Sequence, residues 1–291
     1  MLKSMTGYGI AVTDFANAKY TVEIKSLNSK FLELALKLPK SFADKEFVLR
    51  NECSKQIERG KVNVAVTAEY IEVQKKAASI DSGLLKSYYQ QLREAADELN
   101  DTGSNLLQMA LNFPDVIKFE EDTISEDEWL ILHQTFDTAM REFQKFRSDE
   151  GSVLQNDLVF RINSIYESLQ KIEVEAPKRI PLIKERLAAM LEEHIGKENF
   201  DQNRLEQELI FYIDKLDITE EKIRLKSHCD YFLDALKSPD ANGKKLGFIS
   251  QEIGREINTI GSKANDAHIQ QIVVGMKEEL EKVKEQLLNV L

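Results

Sequence analysis

Patterns of apolar residues divide the chain into an N-terminal part with strands and a C-terminal part that is almost wholly helical. Three stretches near the N-terminus, 20–25, 32–38 and 62–66, alternate apolar and polar residues. This alternation is typical of half-buried strands. An amphipathic helix is predicted between the second and third stretches, from about Ser41, with Gly60 as its C-terminal cap. The order of strands, helix and strand predicts a small mixed sheet-and-helix layer, and hence the α+β class.

From residue 82 onward, apolar residues recur mainly at helical spacing. Separate helices are predicted at 82–100, 104–112, 129–146 and 158–176, then up to His194, over 205–216, after Asp217, from Gly247 and over 267–291. A loop is predicted at 196–202. Two of the helices, 158–176 and 267–291, have heptad spacing and are predicted to be long and coiled-coil-like. They can pack against each other within one molecule or form an interface between subunits.

These elements suggest three segments in a chain of 291 residues. An N-terminal α+β domain is predicted at 1–150, connecting helices at 151–204, and a mostly α-helical C-terminal domain at 205–291. The length alone is sufficient for about two domains.

The charge balance is acidic, with 50 acidic against 39 basic residues and a net charge of −11. This argues against a protein that coats nucleic acid non-specifically, but it leaves room for a local basic groove. The stretch 19–61 is such an exception, with ten basic and six acidic residues. The residues at its predicted strand ends and turns are candidates for a phosphate-contacting rim, namely Lys25, Asn28, Lys30, Arg59 and Lys61. Ordinary surface lysines explain the same pattern equally well.

The two cysteines are far apart in sequence, and neither belongs to a CxxC pair. Cys53 and Cys229 are therefore predicted to be reduced and buried thiols. The first residues have no apolar run of the signal-peptide type, and no segment is apolar enough to span a membrane. The sequence therefore favours a cytoplasmic protein with no membrane partner.

The helix that follows Asp217 has a polar face of mixed charge. Glu221, Arg224 and His228 follow one another at helical spacing and therefore share this face. Asp217 and Glu220 have the spacing of a capping box, so the simplest role of Asp217 is structural, as the residue that starts the helix.

The segment from Gly247 to Asp266 has the second set of candidates. Glu252 and Glu256 lie four residues apart on one helical face, and Arg255 lies beside them. The helix is predicted to end in a polar turn at 258–263, which contains Asn258 and Lys263. A solvated helix face with a C-terminal cap explains this pattern on spacing alone. The alternative is a site for a divalent cation and a phosphate.

The available donors decide which metal such a site would hold. Phosphate-binding loops of the GxxxxGK[ST] and GxGxxG types, HExxH motifs and paired cysteines are all absent from the sequence. No nucleotide cofactor is expected, and any metal site should be rich in carboxylates, which suits Mg²⁺ or Mn²⁺. If the two helices pack antiparallel, Glu221 and His228 would face Glu252 and Glu256 as metal-binding and catalytic residues.

Several segments, taken together, resemble one known family. They are MTGYG at 5–9, VEIKSLNSKFLEL at 22–34, RGKV at 59–62, DITEEKIRLKSHCDYF at 217–232, GKKLGFISQEIGREINTIGSKAND at 243–266 and EQLLN at 285–289. This combination is similar to the YicC/YloC family, and it extends over nearly the full length.

The resemblance implies a bacterial, cytosolic, metal-dependent endoribonuclease that hydrolyses phosphodiester bonds in single-stranded or structured RNA. It also implies a ring-like homo-oligomer, a hexamer, in which N-terminal domains assemble and C-terminal helices enclose the RNA. The positions that match the family's characteristic residues are Glu221, Arg224, His228, Glu252, Arg255, Glu256, Asn258 and Lys263. Of these, Arg224, Arg255, Asn258 and Lys263 are the candidates for binding RNA. A non-catalytic RNA-binding adaptor that recruits another ribonuclease is the competing hypothesis.

Overall fold

The computed structural model describes residues 2–70, 79–100, 103–118, 124–195, 202–238 and 243–291. The strands are β1 (Gly7–Phe15), β2 (Ala18–Leu27), β3 (Leu32–Lys37), β4 (Gly60–Tyr70), β5 (Ser79–Ile80) and β6 (Ile117–Lys118). The helices are α1 (Glu46–Gln56), α2 (Ser82–Leu99), α3 (Leu106–Leu111), α4 (Glu126–Glu175), α5 (Arg179–Ile195), α6 (Gln202–Lys215), α7 (Thr219–Lys237), α8 (Gly243–Ala264) and α9 (Ala267–Leu287). Residues 196–201 of the predicted loop lie outside the described part.

The N-terminal sheet has four strands in the order β1-β2-β4-β3. The pairs β1–β2 and β2–β4 are antiparallel, whereas β3 and β4 are parallel because α1 connects them. Tyr20, Val22 and Ile24 point from β2 into the core and are fully buried. With the helices that follow, this confirms the predicted α+β class.

Two glycines allow α4 to lie directly against β1. Gly7 and Gly9 alternate along β1, and both face α4. A Cβ atom at Gly9 would lie 2.2 Å from the Ala139 carbonyl oxygen and 2.6 Å from the Phe143 amide nitrogen. Real Cβ atoms do not approach a backbone so closely, so the glycines of the MTGYG segment set the distance between sheet and helix.

Helix α4 is one continuous helix of 50 residues. The prediction of separate helices at 129–146 and 158–176 is therefore wrong. Gly151 lies within the helix and allows the N-terminal segment to approach it closely, since a Cβ there would lie 2.1 Å from the carbonyl oxygen of Leu2. The first half of the helix packs on the sheet, and its second half packs on the C-terminal helices. The helix continues without a break across residue 150, where the N-terminal domain is predicted to end.

The C-terminal core lies between α4, α7, α8 and α9. The predicted heptad residues of α9 are buried, and α9 packs along α4. Arg161 of α4 donates to Glu279 of α9 over 3.1 Å at the edge of this contact. The heptad pattern therefore reflects packing within one molecule. In the described part of the chain, no helix is long and apolar enough to cross a membrane.

The last residues of the chain bind back onto the N-terminal sheet. Val290 pairs with Ser4 as an isolated bridge, and the Leu291 amide donates to the Lys3 carbonyl over 3.0 Å. Arg59 donates to the Val290 carbonyl over 2.6 Å, and Asn28 donates to the Leu288 carbonyl over 2.7 Å. Side chains predicted to form a phosphate-contacting rim thus hold the two halves of the molecule together.

We expect Arg59→Ala to lower the free energy of unfolding by about 1–3 kcal/mol, because a charged donor to a backbone carbonyl is lost. Lys61→Ala is the matched control. It also removes one positive charge, but from an exposed side chain two residues further along the chain. Its effect should stay within about 0.5 kcal/mol. Urea denaturation of both variants measures the difference. Equal losses would show that Arg59 contributes no more than surface charge.

Both cysteines are buried, as predicted, with 0% exposure. Burial raises the pKa of each thiol from 9.0 to about 12. The folded state therefore keeps these protons longer than the unfolded state, so their contribution to stability is complete below about pH 9 and lost as the pH rises towards 12. At pH 8 we expect a thiol reagent to label both cysteines at least ~100-fold more slowly in the native protein than in denaturant. Rapid labelling of either native thiol would contradict this burial.

Candidate active site

Helices α7 and α8 carry most of the candidate residues and pack against each other in opposite directions. The direction follows from two charge pairs that cross the contact, Glu221 with Lys263 and Arg224 with Glu256. The apolar faces beneath these pairs are buried and consist of Leu225, Cys229 and Phe232 from α7 and Ile253, Ile257 and Ile260 from α8. The antiparallel arrangement that the sequence allowed is therefore present. We call Glu221, Arg224, Glu256 and Lys263 the charge network.

Glu221 is the most constrained member of the charge network. It is only 5% exposed, although it belongs to the first turn of α7. Its Oε1 atom accepts from the Lys263 ammonium over 2.7 Å, and this hydrogen bond raises the pKa of Lys263. Its Oε2 atom is buried and has no hydrogen-bond partner among the residues that the structure describes. A buried carboxylate oxygen without a donor is costly, so this atom is a natural position for a bound cation or a ligand.

Glu256 is the second buried carboxylate, also 5% exposed. Its nearest cation is Arg224, whose guanidinium lies 4.0 Å away and also binds Glu220 on its own helix. The side chain of Arg224 remains half-exposed. The charge network therefore joins two buried acids to two cations that can still reach solvent.

The remaining candidates on these helices are more exposed. Arg255 and Glu252 lie 3.9 Å apart on the outer face of α8, and Asn258 is exposed on the same helix. His228 lies half-buried on α7, two turns beyond Glu221. The predicted polar turn at 258–263 is wrong, because α8 continues to Ala264 and Gly261 packs against Val273 inside the helix contact.

The four predicted metal ligands do not form a compact cluster. Throughout the described residues, only one group brings three potential metal-binding atoms within 4.8 Å of one another, and it contains none of Glu221, His228, Glu252 and Glu256. The two buried carboxylates are instead paired with cations. The Oε2 atom of Glu221 suits a divalent cation, and Glu256 is the other buried carboxylate of the charge network.

Arg179 positions the charge network, and the sequence interpretation missed it. Its buried guanidinium donates to the carbonyl oxygens of Ala176, Ala264 and Leu216. It therefore fixes the end of α8, next to Lys263, and the segment that enters α7. Burial lowers the pKa of Arg179. No motif marks this role, because the three carbonyls come from distant parts of the chain.

Asp217 starts α7 in a different way from the predicted capping box. Its carboxylate accepts from the amide and the hydroxyl of Thr219, and these hydrogen bonds lower its pKa. Glu220 binds Arg224 instead of completing the box.

The basic candidates of the N-terminal part lie on β2 or just after it rather than on α7 or α8, and they are Lys25 and Lys30. Lys25 forms an ion pair with Glu23 over 2.7 Å on β2, and its ammonium lies over the ring of Tyr8. Lys30 follows β2 and lies over the ring of Phe31. Both remain candidates for contact with RNA.

The compact group that the sequence interpretation missed consists of Glu52 on α1 and His133 and Asp137 on α4. The spacing of four between His133 and Asp137 was a usable signal, because it places both on one helical face. Glu52 could not be found in this way, since only the packing of α1 on α4 brings it close.

Comparisons with known proteins agree over the whole chain. Residues 2–156 match the family described as "Endoribonuclease YicC-like, N-terminal region", and residues 172–291 match "Endoribonuclease YicC-like, C-terminal". The chain therefore belongs to the YicC-like endoribonuclease family. A protein of Clostridioides difficile (strain 630) named "Probable endoribonuclease YicC" is 32% identical over 292 residues, which is 100% of both chains. A protein of the same name from Haemophilus influenzae is 30% identical over 295 residues, again over 100% of both chains.

Proposed function

We propose that this protein is an endoribonuclease that hydrolyses phosphodiester bonds of RNA at the charge network between α7 and α8, with Mn²⁺ or Mg²⁺ as its metal. The observation that supports this most strongly is the buried, unpartnered Oε2 atom of Glu221 beside Lys263. The family and the names of the two relatives support RNA as the substrate.

In this proposal the metal would be held by Glu221 and Glu256, with Glu252 as a further ligand expected from the sequence. His228 is the fourth ligand expected from the sequence, and we assign it to proton transfer instead. When bound, a divalent cation activates water and stabilises negative charge on the phosphate. Lys263 currently neutralises Glu221 and would be free to bind a phosphate oxygen once the carboxylate holds the metal.

The exposed cations hold the RNA in this proposal. Arg224 has a half-exposed guanidinium beside Glu256, and Arg255 and Asn258 extend from the outer face of α8. Guanidinium groups bind phosphate oxygens in a bidentate manner. Hydrolysis adds water across one P–O bond, and the departing sugar oxygen takes up a proton. Histidine is the side chain best suited to exchanging protons near neutral pH, so we assign this transfer to His228.

Assembly into a homo-oligomer, a hexamer by resemblance, is part of the proposal. Several large apolar side chains on α5 and α6 are exposed, and they are Ile180, Leu182, Met190, Ile210, Phe211 and Tyr212. Such a concentration of exposed apolar residues is typical of an interface. Light scattering after size exclusion tests this part, and a monomer at micromolar concentration would contradict it.

The competing function is an RNA-binding adaptor without catalysis. It is favoured by the pairing of both buried carboxylates with cations, which is the arrangement of a structural network. A labelled RNA of mixed structure, incubated with purified protein and Mn²⁺, Mg²⁺ or EDTA, separates the two. Cleavage that requires metal and is lost in Glu252→Ala, with RNA binding retained, supports the enzyme. Salt-sensitive binding without turnover supports the adaptor.

A further inference from the structure

A second metal site, outside the charge network, is the inference that the remaining contacts support best. We propose that Glu52, His133 and Asp137 bind a first-row transition-metal dication, such as Zn²⁺, and thereby fasten α1 to α4. We call these three residues the Glu52 cluster. The proposal goes beyond the proposed function, because this cluster lies on the N-terminal layer and contains none of the residues assigned to RNA cleavage.

The geometry of His133 is the first argument. Its Nε2 atom lies 2.9 Å from a Glu52 oxygen, and its Nδ1 atom lies 3.5 Å from an Asp137 oxygen. A metal ion binds an imidazole ring through one of its two nitrogens. One nitrogen of His133, one oxygen of Glu52 and one oxygen of Asp137 lie within 4.8 Å of one another, so an ion bound to the ring can also reach both carboxylates.

The second argument is a carboxylate oxygen of Glu52 without a hydrogen-bond partner. It does not depend on the geometry of His133. The Oε2 atom of Glu52 is buried and has no hydrogen-bond partner among the described residues. The other oxygen already faces His133. An unpaired buried carboxylate oxygen is costly, and coordination to a metal would satisfy it.

The donor set and its surroundings decide the class of metal. One imidazole nitrogen and two carboxylate oxygens within 4.8 Å of one another suit Zn²⁺ or Mn²⁺ rather than Ca²⁺ or Mg²⁺, which prefer oxygen ligands alone. The ring of Trp129 contacts His133 edge to face with centroids 5.5 Å apart, and so restricts the plane of the imidazole. Asp137 is about half-exposed, so an ion can enter from solvent.

The test is titration of the EDTA-treated, full-length protein with Zn²⁺ alone, measured by isothermal calorimetry. We expect His133→Ala to lose one equivalent of bound Zn²⁺, and Asp137→Asn to bind it at least ~10-fold more weakly. His268→Ala is the matched control, because His268 is an exposed histidine on α9, and it should bind as the wild type does. Glu221→Gln should also keep this equivalent, which separates the Glu52 cluster from the site of the proposed function.

Thermal unfolding provides a second readout that needs no enzymatic activity. Zn²⁺ should raise the Tm of the wild type and of His268→Ala, because the ion binds only the folded arrangement of α1 and α4. It should not raise the Tm of Asp137→Asn, whose exposed side chain can be replaced without disturbing the core. If the wild type binds no Zn²⁺, or if both cluster variants bind it unchanged, the proposal is wrong.

Discussion

Glu221→Gln is expected to lower the rate of RNA cleavage at least ~100-fold while leaving RNA binding within about threefold of the wild type. Glutamine keeps the shape of the side chain but removes the charge that a divalent cation needs. Lys263 loses its partner in this variant, but its half-exposed ammonium can be hydrated. Single-turnover cleavage and RNA binding by fluorescence anisotropy, each measured under saturating metal, give the two quantities.

A charge-swapped pair separates a catalytic Glu221 from a structural one. Glu221→Lys combined with Lys263→Glu restores an ion pair across α7 and α8, but it moves the carboxylate to the other helix. We expect the double variant to recover much of the stability lost by either single variant, while cleavage stays at the level of Glu221→Gln. Recovery of cleavage together with stability would contradict the assignment, because the pair would then act only by holding the helices together.

Gly9→Ala is expected to destabilise the protein by about 1–3 kcal/mol or more, although it adds a single methyl group. The new Cβ would meet the backbone of α4 at 2.2 Å, and backbone atoms cannot change rotamer to make room. Because α4 also packs on the C-terminal helices, displacing it at β1 should disturb both halves of the molecule. Guanidinium denaturation gives the free energy of unfolding.

Gly247→Ala is the matched control for this prediction. Gly247 lies inside α8, and a Cβ there has no atom within 4 Å. Alanine is the better helix former, so the control should be neutral or more stable by up to about 1 kcal/mol. If Gly9→Ala is as stable as this control, the close approach of α4 to β1 is not a constraint on the fold.

Strands and helices of the N-terminal layer could be predicted from the sequence, because their periodicity is local. Alternation in β2 and β4 marks the buried face of the sheet, and the heptad residues of α9 mark the buried side of that helix. The length of α4 could not be predicted. Gly151 lies inside it, and the reason for a glycine there is the backbone of Leu2, which no local pattern in the sequence reveals.

The candidate site shows the same limit at a smaller scale. The polar faces of α7 and α8 allowed an antiparallel pairing of the two helices, but they did not reveal which side chains would pair. Glu221 pairs with Lys263 and not with another carboxylate, and this depends on α8 continuing as a helix through a stretch that reads as a turn. Arg179 and Glu52 act through contacts between distant segments, which one-dimensional spacing cannot reveal.

The most direct test of the central claim is the rate of RNA cleavage across consecutive size-exclusion fractions of wild type and Glu221→Gln, purified in parallel and assayed with Mn²⁺. The account predicts that cleavage follows the protein peak of the wild type, stops with EDTA, and is absent from the same fractions of the variant. Cleavage that is equal in both preparations, or that elutes away from the protein peak, would contradict an intrinsic nuclease at the charge network.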